Sequence, residues 1–279
     1  MTIKKFLQTN YQSYPYLGPG DIDLLLALAL HRSTEYLYKN PEKKLNRSNL
    51  LAFKKLLMRR RQGWSMAHLQ KYAYFFGLKF IVGPNTLIPR PASEILVQTA
   101  LDYLNKNKLK QPKIIDIGTG SGCLILSLAK SCPSPAKYYG LDISRSALKT
   151  ARTNARKLGL KNYVKFLSSN LLQNMPPTPC DIVLANLPYL TKAQLHEPSI
   201  SQEPKTALYG GVEGLDYYRR LLEQLPKYLA KKYLVLLEID PGQANKISEL
   251  IKSNPILGRS KIEIIKDLQG LDRLVKISL

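Results

Sequence analysis

The chain has 279 residues, 44% of them hydrophobic, and it carries 42 Lys and Arg against 20 Asp and Glu, a formal net charge of +22. This length suffices for two modest domains, and the hydrophobic fraction excludes a disordered basic tail. A basic surface attracts polyanions, so a nucleic acid, a ribonucleoprotein or an acidic protein fits as a partner; a proteome that is basic throughout explains the charge equally well.

The three cysteines, Cys123, Cys132 and Cys180, are odd in number and show no metal-ligand spacing. We therefore expect neither a disulfide framework nor a metal site, and a reducing cytoplasm fits this usage. The first residues form no sustained apolar stretch, so no secretory signal is expected. The longest apolar run, Leu24 to Leu30, is far shorter than the roughly 20 residues of a membrane span, which argues against membrane insertion.

Residues 1 to 80 are predicted to be helical. Asp21 is placed to cap a helix with the apolar run Ile22 to Leu30, and the apolar positions from Leu50 to Met58 recur at helical spacing. The segment holds 14 Lys and Arg and 4 Asp and Glu, so the positive charge is concentrated there. Arg59 to Arg61 close the second helix, either as a solvated helix end or as a binding surface.

A predicted hairpin joins this region to the rest of the chain. Its two extended runs, Leu78 to Val82 and Thr86 to Ile88, are separated by Gly83-Pro84-Asn85. We therefore predict a helical substrate-recognition domain over 1–76, a hairpin linker over 77–91 and a second domain over 92–279.

The second domain alternates strands and helices. The predicted strands are 114–117, 138–141, 164–167, 181–185, 233–239, 262–266 and 274–277. The predicted helices are 93–105, 123–130, 146–158, 215–229 and 243–253. This alternation predicts an α/β fold with a doubly wound, mostly parallel seven-stranded sheet, closed by an antiparallel pair at one edge and preceded by the small helical-bundle domain.

A glycine-rich loop follows the first of these strands. Asp116 lies near the strand end, and Gly118-Thr119-Gly120-Ser121-Gly122 leads into a helix. Glycines permit a sharp turn and the close approach of a ligand, and the helix N-terminus favours anionic groups. Asp142 ends the next strand, where a carboxylate can accept both hydroxyls of an adenosyl ribose. The alternatives are strand–helix packing for the glycines and a helix N-cap for Asp142.

The GxGxG loop with an upstream acid resembles the class I S-adenosylmethionine-dependent methyltransferases. The resemblance implies S-adenosylmethionine as the cofactor rather than NAD. Such enzymes usually carry, after the third strand, an acid that contacts the adenine amino group, and Asn170 occupies that place here. An Asn oxygen can accept the same hydrogen bond without charge, and Leu171 would line the adenine pocket. A simple loop turn accounts for this pair almost equally well.

The fourth strand ends in Asn186-Leu187-Pro188-Tyr189, at the edge where open parallel sheets bind ligands. The Asn carboxamide oxygen and the Leu187 carbonyl can together accept both hydrogens of a planar NH₂ group, and Tyr189 can stack on a flat group. Methylation of such a nitrogen requires that it be fixed in line with the donor methyl and that developing positive charge be stabilised. A strand end with a proline turn explains Pro188 but not the combination.

Three further segments resemble the release-factor glutamine methyltransferases, the PrmC or HemK family. They are residues 59–91, which contain RRR, AHL and LIPRP and are followed by Glu94; residues 202–216, QEPKTALYGGVEGLD; and residues 266–273, KDLQGLDR. The resemblance covers nearly the whole chain, including the helical N-terminal domain. RNA adenine dimethyltransferases, which share the NLPY spelling, carry their helical domain at the C-terminus.

The resemblance implies transfer of a methyl group from S-adenosylmethionine to the side-chain amide N5 of the glutamine in the GGQ loop of peptide chain release factors, with S-adenosylhomocysteine as product. The implied catalytic residues are Asn186, Leu187, Pro188 and Tyr189. The implied cofactor residues are Asp116, Gly118, Thr119, Gly120, Ser121, Gly122, Asp142, Asn170, Leu171 and Asn186. No metal is implied, and Arg90 and Glu94 would order a cofactor lid or serve as scaffold.

Two positions depart from the family pattern: Leu187 stands for the first proline of NPPY, and Asn170 stands for the usual acid. Leucine supplies the same backbone carbonyl but lacks the φ lock of proline. The implied enzyme is a cytoplasmic monomer whose helical domain grips the release factor and which requires neither nucleic acid nor membrane. The open alternatives are a ribosomal-protein glutamine, an RNA or DNA amino group, and an inactive methyltransferase-like binding module.

Overall fold

The computed structural model describes residues 1–132, 135–197 and 200–279. The chain divides into two compact units. The first comprises Met1–Gln70 with residues 200–202, and the second comprises Lys71–Glu197 and Glu203–Leu279. The first unit therefore ends its main segment at Gln70, whereas the prediction extended the helical domain to 76.

The first unit is helical, as predicted. Its helices are α1 (Ile3–Ser13), α2 (Pro19–Leu30), α3 (Thr34–Lys39), α4 (Arg47–Arg61) and α5 (Met66–Gln70). They pack around one buried apolar cluster to which α1, α2 and α4 contribute Phe6, Leu25 and Phe53. Within the part of the chain that the structure describes, no helix combines the length and the apolar character needed to cross a membrane.

The prediction that Asp21 caps helix α2 is wrong. Gly18 is its N-cap and Pro19 its first residue, a position where the missing N–H of proline costs no hydrogen bond. Asp21 lies in the first turn, and its carboxylate pairs with Arg60 at 3.0 Å. Arg60 therefore ties the end of α4 to the start of α2, which gives one of the three consecutive arginines a structural role.

The hairpin lies earlier in the chain than predicted. Strands β1 (Tyr72–Phe75) and β2 (Leu78–Ile81) pair antiparallel, with Phe75 opposite Leu78. The two turn residues, Phe76 and Gly77, have φ of 49° and 70°, the left-handed geometry that suits the twist of a two-residue hairpin. Residues 86–88 form no strand, so the prediction placed the turn at the wrong glycine.

The second unit contains the predicted seven-stranded sheet, in the order β5-β4-β3-β6-β7-β9-β8. Its strands are β3 (Lys113–Ile117), β4 (Lys137–Asp142), β5 (Val164–Ser168), β6 (Cys180–Ala185), β7 (Leu229–Glu238), β8 (Lys261–Lys266) and β9 (Asp272–Ser278). The first five in this order are parallel, and β9 runs antiparallel to both neighbours. The predicted fold class and the antiparallel edge are confirmed.

Among the described residues of this unit, the α-helices that cover the sheet are α6 (Glu94–Asn107), α7 (Cys123–Ser131), α8 (Arg145–Lys157), α9 (Asp216–Gln224) and α10 (Ala244–Ser253). Residues of α6, α7 and α8 share one buried cluster, and residues of α9 and α10 share another. Helix α9 is shorter than the predicted 215–229, because a 3₁₀ turn at Leu225–Tyr228 contains Pro226, which lacks the N–H that an α-helix needs.

The chain order places a crevice beside β3. After β3 the chain builds outward through β4 and β5, and then returns to the other side of β3 as β6. The loops that follow β3 and β6 therefore diverge at the carboxyl edge of the sheet, which is where open α/β sheets bind ligands. The glycine-rich loop follows β3 and Asn186 follows β6, so the topology brings both predicted motifs to this crevice.

Candidate active site

A cavity with about 750 Å³ of open space lies at the crevice. Eight of the predicted site residues line it: Gly118, Gly120, Asp142, Asn170, Leu171, Asn186, Leu187 and Pro188. Five do not: Asp116, Thr119, Ser121, Gly122 and Tyr189. The two motifs predicted from separate parts of the sequence therefore share one cavity.

The glycine-rich loop is held against β4 by its backbone. The N–H groups of Gly118 and Thr119 both donate to the Leu141 carbonyl at 2.8 Å. Gly118 has φ of 73°, and a Cβ added to it would lie 3.2 Å from Leu187 Cδ2. A side chain here would therefore strain the backbone and press on the Asn186–Tyr189 loop, so the close approach of the two loops requires glycine.

The last glycine of the loop has a packing role. Gly122 has φ of 81° and is the N-cap of α7. A Cβ at this position would lie 2.9 Å from Leu126 and 3.2 Å from Ala151. Ser121 is also buried, and its carbonyl accepts a hydrogen bond from Asn154 at 2.9 Å. For these two residues the packing alternative describes the structure better than direct contact with a cofactor.

Asp116 lies beneath the loop, fully buried. Its Oδ2 accepts a 2.6 Å hydrogen bond from the Thr119 hydroxyl, and its Oδ1 has no hydrogen-bond partner among the described residues. Burial, reinforced by the nearby Asp142 charge, raises the pKa of Asp116 to about 7, against the Thr119 hydrogen bond. The structure thus gives Asp116 and Thr119 a supporting position rather than one on the cavity wall.

Asp142 faces the cavity and is anchored by backbone donors. Its Oδ2 accepts from the Gly120 N–H and its Oδ1 from the Ser144 N–H, both at 2.8 Å. Burial raises the pKa of Asp142, and these N–H donors oppose the shift. An ionised carboxylate offers about four lone-pair positions, so two remain for a ligand. The N-cap of α8 is Ser144, so the capping alternative for Asp142 is wrong.

Asn170 and Leu171 form the wall between β5 and α9. The Asn170 Oδ1 accepts a 2.8 Å hydrogen bond from Arg220 of α9, so its second lone pair is the one left for a ligand. Leu171 is buried, with the left-handed φ of 53°. The Tyr217 ring also lines the cavity, and the Arg220 guanidinium lies 5.8 Å from its centroid. The Arg220 hydrogen bond thus fixes the orientation of the Asn170 side chain.

On the opposite side of the cavity, Asn186 is partly buried and its Nδ2 donates to Ser93 Oγ at 3.1 Å. Its Oδ1 is therefore the group available to a ligand. The Leu187 side chain is buried against Gly118. Within the described residues, the Leu187 carbonyl oxygen accepts no hydrogen bond. Asn186 and Leu187, the consecutive residues that carry the two predicted acceptors, both line the cavity.

Tyr189 lies behind the wall rather than on it. Its ring packs against the core cluster on the α9 side, and its hydroxyl lies 3.5 Å from Glu238 Oε1. Burial raises the pKa of Tyr189, and the Glu238 carboxyl adds to the shift. Its carbonyl accepts from Gln243 Nε2 at 3.0 Å. Tyr189 therefore does not lie where the predicted stacking wall requires it.

A glycine segment clamps the Asn186–Tyr189 loop from outside. A Cβ at Gly210 would lie 2.4 Å from the Pro188 carbonyl oxygen, and one at Gly214 would lie 2.0 Å from the Tyr189 carbonyl oxygen. Gln243 also donates to the Gly214 carbonyl at 3.3 Å. These glycines belong to the segment 202–216, which resembles the family but to which sequence analysis assigns no physical role.

The segment before α6 is fixed by a buried acid. The Glu203 Oε2 accepts from the Ile88 N–H at 3.0 Å, and its Oε1 pairs with Arg90. Glu94 accepts from the Phe76 N–H at 2.7 Å. Arg90 and Glu94 are therefore scaffold residues in this structure, and their bonds hold residues 85–87 at the cavity wall.

Sequence reasoning missed several residues that support the site: Ser93, Glu203, Tyr217, Arg220, Glu238 and Gln243. Most of them give no local signal, because they reach the site from distant elements. Glu238 is the exception. It ends an apolar strand in the same way as Asp142, and that pattern singled out Asp142.

Comparison with known proteins agrees with this architecture. The family model described as PrmC N-terminal domain matches residues 4–69, and the one described as methyltransferase domain matches residues 108–254. A methyltransferase structure from Pyrococcus furiosus superposes with a TM-score of 0.53 at 18% identity, over 81% of this chain and 96% of that one, and this supports the fold alone.

Two curated relatives are similar over most of this chain. A bifunctional methyltransferase of Rickettsia bellii is 29% identical over 309 aligned residues that cover 100% of this chain, which spans 55% of that protein. A release factor glutamine methyltransferase of Bacillus cereus is 31% identical over 276 residues, which cover 97% of this chain and 94% of the relative. The chain belongs to the release factor glutamine methyltransferase family.

Proposed function

We propose that this protein transfers a methyl group from S-adenosylmethionine to the side-chain amide N5 of the glutamine in the GGQ loop of peptide chain release factors. The observation that carries the proposal is that Asn186 and Leu187 line the same cavity as the glycine-rich loop and Asp142, with Asn186 Nδ2 bonded to Ser93 so that Oδ1 is left for a ligand. The membership of the chain in its family supports the choice of substrate.

The residues that line the cavity suit S-adenosylmethionine, which supplies the methyl group as a sulfonium when bound. Gly118 and Gly120 present backbone without side chains to the cavity, with φ of 73° and 55°. We propose that they hold the methionine part. Asp142 keeps two lone pairs for the ribose hydroxyls, since a carboxylate can accept more bonds than the two N–H groups supply. Asn170 and Leu171 would border the adenine.

We propose that the glutamine side chain enters beside Asn186. Its NH₂ group would donate one hydrogen to Asn186 Oδ1 and the other to the Leu187 carbonyl. These two bonds orient the nitrogen and stabilise the positive charge that grows on it during methyl transfer. The reaction gains most if both acceptors are fixed before the substrate arrives, since they then need no reorganisation.

Leucine at 187 is compatible with this chemistry. A proline would fix the backbone through φ, whereas the Leu187 side chain, 3% exposed, fixes it by packing against the glycine-rich loop. The required group is the carbonyl, which both residues have. The alternative of an inactive binding module rests on the departures at Leu187 and Asn170. If packing replaces the proline lock, Leu187 no longer supports that alternative.

We further propose that the helical unit grips the release factor, and that binding energy far from the chemistry orients one particular glutamine. The net positive charge would steer acidic partners toward the enzyme. We propose that the enzyme acts as a cytoplasmic monomer that needs no nucleic acid.

Labelled S-adenosylmethionine tests the proposal directly. The enzyme is incubated separately with a release factor, with the same factor carrying GGA in place of GGQ, with ribosomal proteins and with ribosomal RNA. We expect label in the unsubstituted release factor alone. Label in RNA or in a ribosomal protein, or label that persists on the substituted factor, would overturn the proposed substrate.

A further inference from the structure

Glu238 is a buried acid that the proposed chemistry does not use. It ends β7 beside β6, and the register pairs Ala185 with Leu237. The next residues of these two parallel strands, Asn186 and Glu238, therefore leave the sheet side by side at the carboxyl edge. Glu238 is 1% exposed, so its carboxyl group faces protein rather than water.

The groups around Glu238 come from several elements. The side chains of Ser93, Tyr189 and Asn186 all lie against its carboxyl group and lower its pKa, as does the charge of Arg273 on β9. Burial outweighs them and raises the pKa of Glu238 to about 7. The Glu238 charge also contributes to the raised pKa values of two other groups, Cys123 of α7 and Tyr218 of α9.

The carboxyl group is only partly satisfied. Its Oε1 lies 3.5 Å from the Tyr189 hydroxyl, and its Oε2 has no hydrogen-bond partner among the described residues. Its backbone is held, because the Tyr218 hydroxyl donates to the Glu238 carbonyl. Since a buried acid with one unsatisfied oxygen is costly, its position next to Asn186 calls for a reason other than stability.

The neighbouring carboxamide supplies that reason. An Asn side chain can present either its oxygen or its NH₂ group to the cavity, by rotation of the carboxamide. Nδ2 of Asn186 donates to Ser93 Oγ at 3.1 Å, on the side of Glu238. An ionised carboxylate only accepts hydrogen bonds, so it attracts the NH₂ group and repels an oxygen. Rotation of Asn186 would therefore place two oxygens against each other.

We infer that Glu238, together with Ser93, is a positioning residue for methyl transfer: it fixes the Asn186 carboxamide so that Oδ1 faces the substrate amide. The inference rests on the proposed function of Asn186. Glu238 itself does not line the cavity, so it acts through Asn186 and not on the substrate.

Glu238→Gln tests the inference, because glutamine has nearly the same shape but carries an NH₂ donor that can face either end of the Asn186 carboxamide. We expect kcat to fall roughly 10- to 100-fold, as is typical when the outer partner of a reactive group is lost, with the KM for release factor and the Kd for S-adenosylmethionine changed less than about two-fold. Glu238→Asp keeps the charge and should recover part of the loss.

The pH profile separates positioning from mere packing. In the wild type, kcat should fall as the pH drops below about 7, because protonated Glu238 gains a donor and no longer repels Asn186 Oδ1. This acid limb should be absent from Glu238→Gln. An acid limb that persists unchanged in that variant, or a kcat equal to that of the wild type at pH 8, overturns the inference.

Two further variants keep the test decisive. Val235→Ala, at a buried position of the same strand, controls for lost stability and should leave kcat unchanged. If Glu238→Gln does not fold, Ser93→Ala decides, with reduced kcat and normal cofactor binding supporting the inference and wild-type kcat overturning it. Failure of the wild type to methylate release factor refutes the proposed function instead, so the two failures are distinct.

Discussion

The two sides of the cavity are built by different means. On the cofactor side, the glycine-rich loop and Asp142 are held mainly by backbone hydrogen bonds to β4 and to each other. On the substrate side, the Asn186–Tyr189 loop is held by side chains from distant segments, Ser93 before α6 and Gln243 before α10. The geometry of the cofactor side is therefore determined locally, whereas the geometry of the substrate side depends on the whole fold.

The difference suits the two ligands. A methyl donor with a fixed shape can be recognised by a rigid backbone cradle, whereas a protein side chain must be oriented to within a fraction of an ångström for methyl transfer. The orientation comes from side chains whose own positions are locked by packing and by further hydrogen bonds. Variants on the cofactor side should therefore lose mainly affinity, and variants on the substrate side should lose mainly turnover.

The largest effect is expected from Asn186→Ala, on the substrate side. The change removes one of the two acceptors for the reacting NH₂ group, so we expect methyl transfer to fall by more than about 100-fold. Binding of S-adenosylmethionine should remain measurable by calorimetry. Retained turnover would refute the role of Asn186, and lost cofactor binding would show that the two sides are not separable.

Asp142→Ala should show the opposite pattern, on the cofactor side. Two charge-assisted hydrogen bonds to the ribose would be lost, so the Kd for S-adenosylmethionine should rise on the order of 100-fold by calorimetry. At saturating cofactor, kcat should fall much less. The control is Asn46→Ala, at a residue that does not line the cavity; it removes the N-cap of α4 and should cost about 1 kcal/mol of stability while leaving the Kd nearly unchanged.

Gly214→Ala tests the clamp on the substrate loop. Gly214 has φ of 72°, and a Cβ would lie 2.0 Å from the Tyr189 carbonyl oxygen. Gly159→Ala is the control, because Gly159 has φ of 76° but nothing lies within 4 Å of its added Cβ. In the control, the strain of a left-handed alanine should lower the unfolding free energy by only about 1 kcal/mol. Gly214→Ala should lose more unfolding free energy than the control, as measured by urea titration, and should also lower kcat. Equal losses of stability and of kcat in the two variants would exclude the clamp.

This difference also explains what could be predicted from the sequence. The strand alternation gave the sheet, and the local pattern of Gly118, Gly120 and Asp142 gave the cofactor side, because glycine geometry and a strand-end acid act within a few residues. Asn186 and Leu187 were likewise found at a strand end. The hairpin was misplaced, since the turn at Phe76-Gly77 gives a weaker signal than Gly83-Pro84.

Residues that act across the fold could not be found in this way. Glu203 is separated from Ile88 by 115 positions, and Ser93 from Asn186 by 93. No periodicity or spacing encodes such pairs, because the contact exists only once the sheet has formed. Tyr189 shows the converse case: its residue type suits a stacking wall, but its partly buried ring packs against the core cluster and does not line the cavity.

The smallest expected effect is on stability, and it opposes the effect on turnover. Burial raises the pKa of Glu238 to about 7 in the folded protein, well above its ordinary value of 4.5. The folded state therefore binds the proton more tightly than the unfolded state, and stability is lost as the pH rises from about 4.5 through 7. Above this range the wild type holds a buried charge that Glu238→Gln lacks.

We therefore expect Glu238→Gln to raise the unfolding free energy at pH 8 by about 1 kcal/mol, and to change it little at pH 5, where the wild-type acid is already neutral. Urea titrations at the two pH values measure the difference directly. Val235→Ala, which changes packing but no charge, should shift both titrations equally. A variant that is more stable at pH 8 yet slower in methyl transfer would show that the buried charge is kept for positioning, at the expense of stability. The opposite result would contradict this interpretation of Glu238: a Glu238→Gln variant whose unfolding free energy, relative to the wild type, is lower at pH 8 than at pH 5.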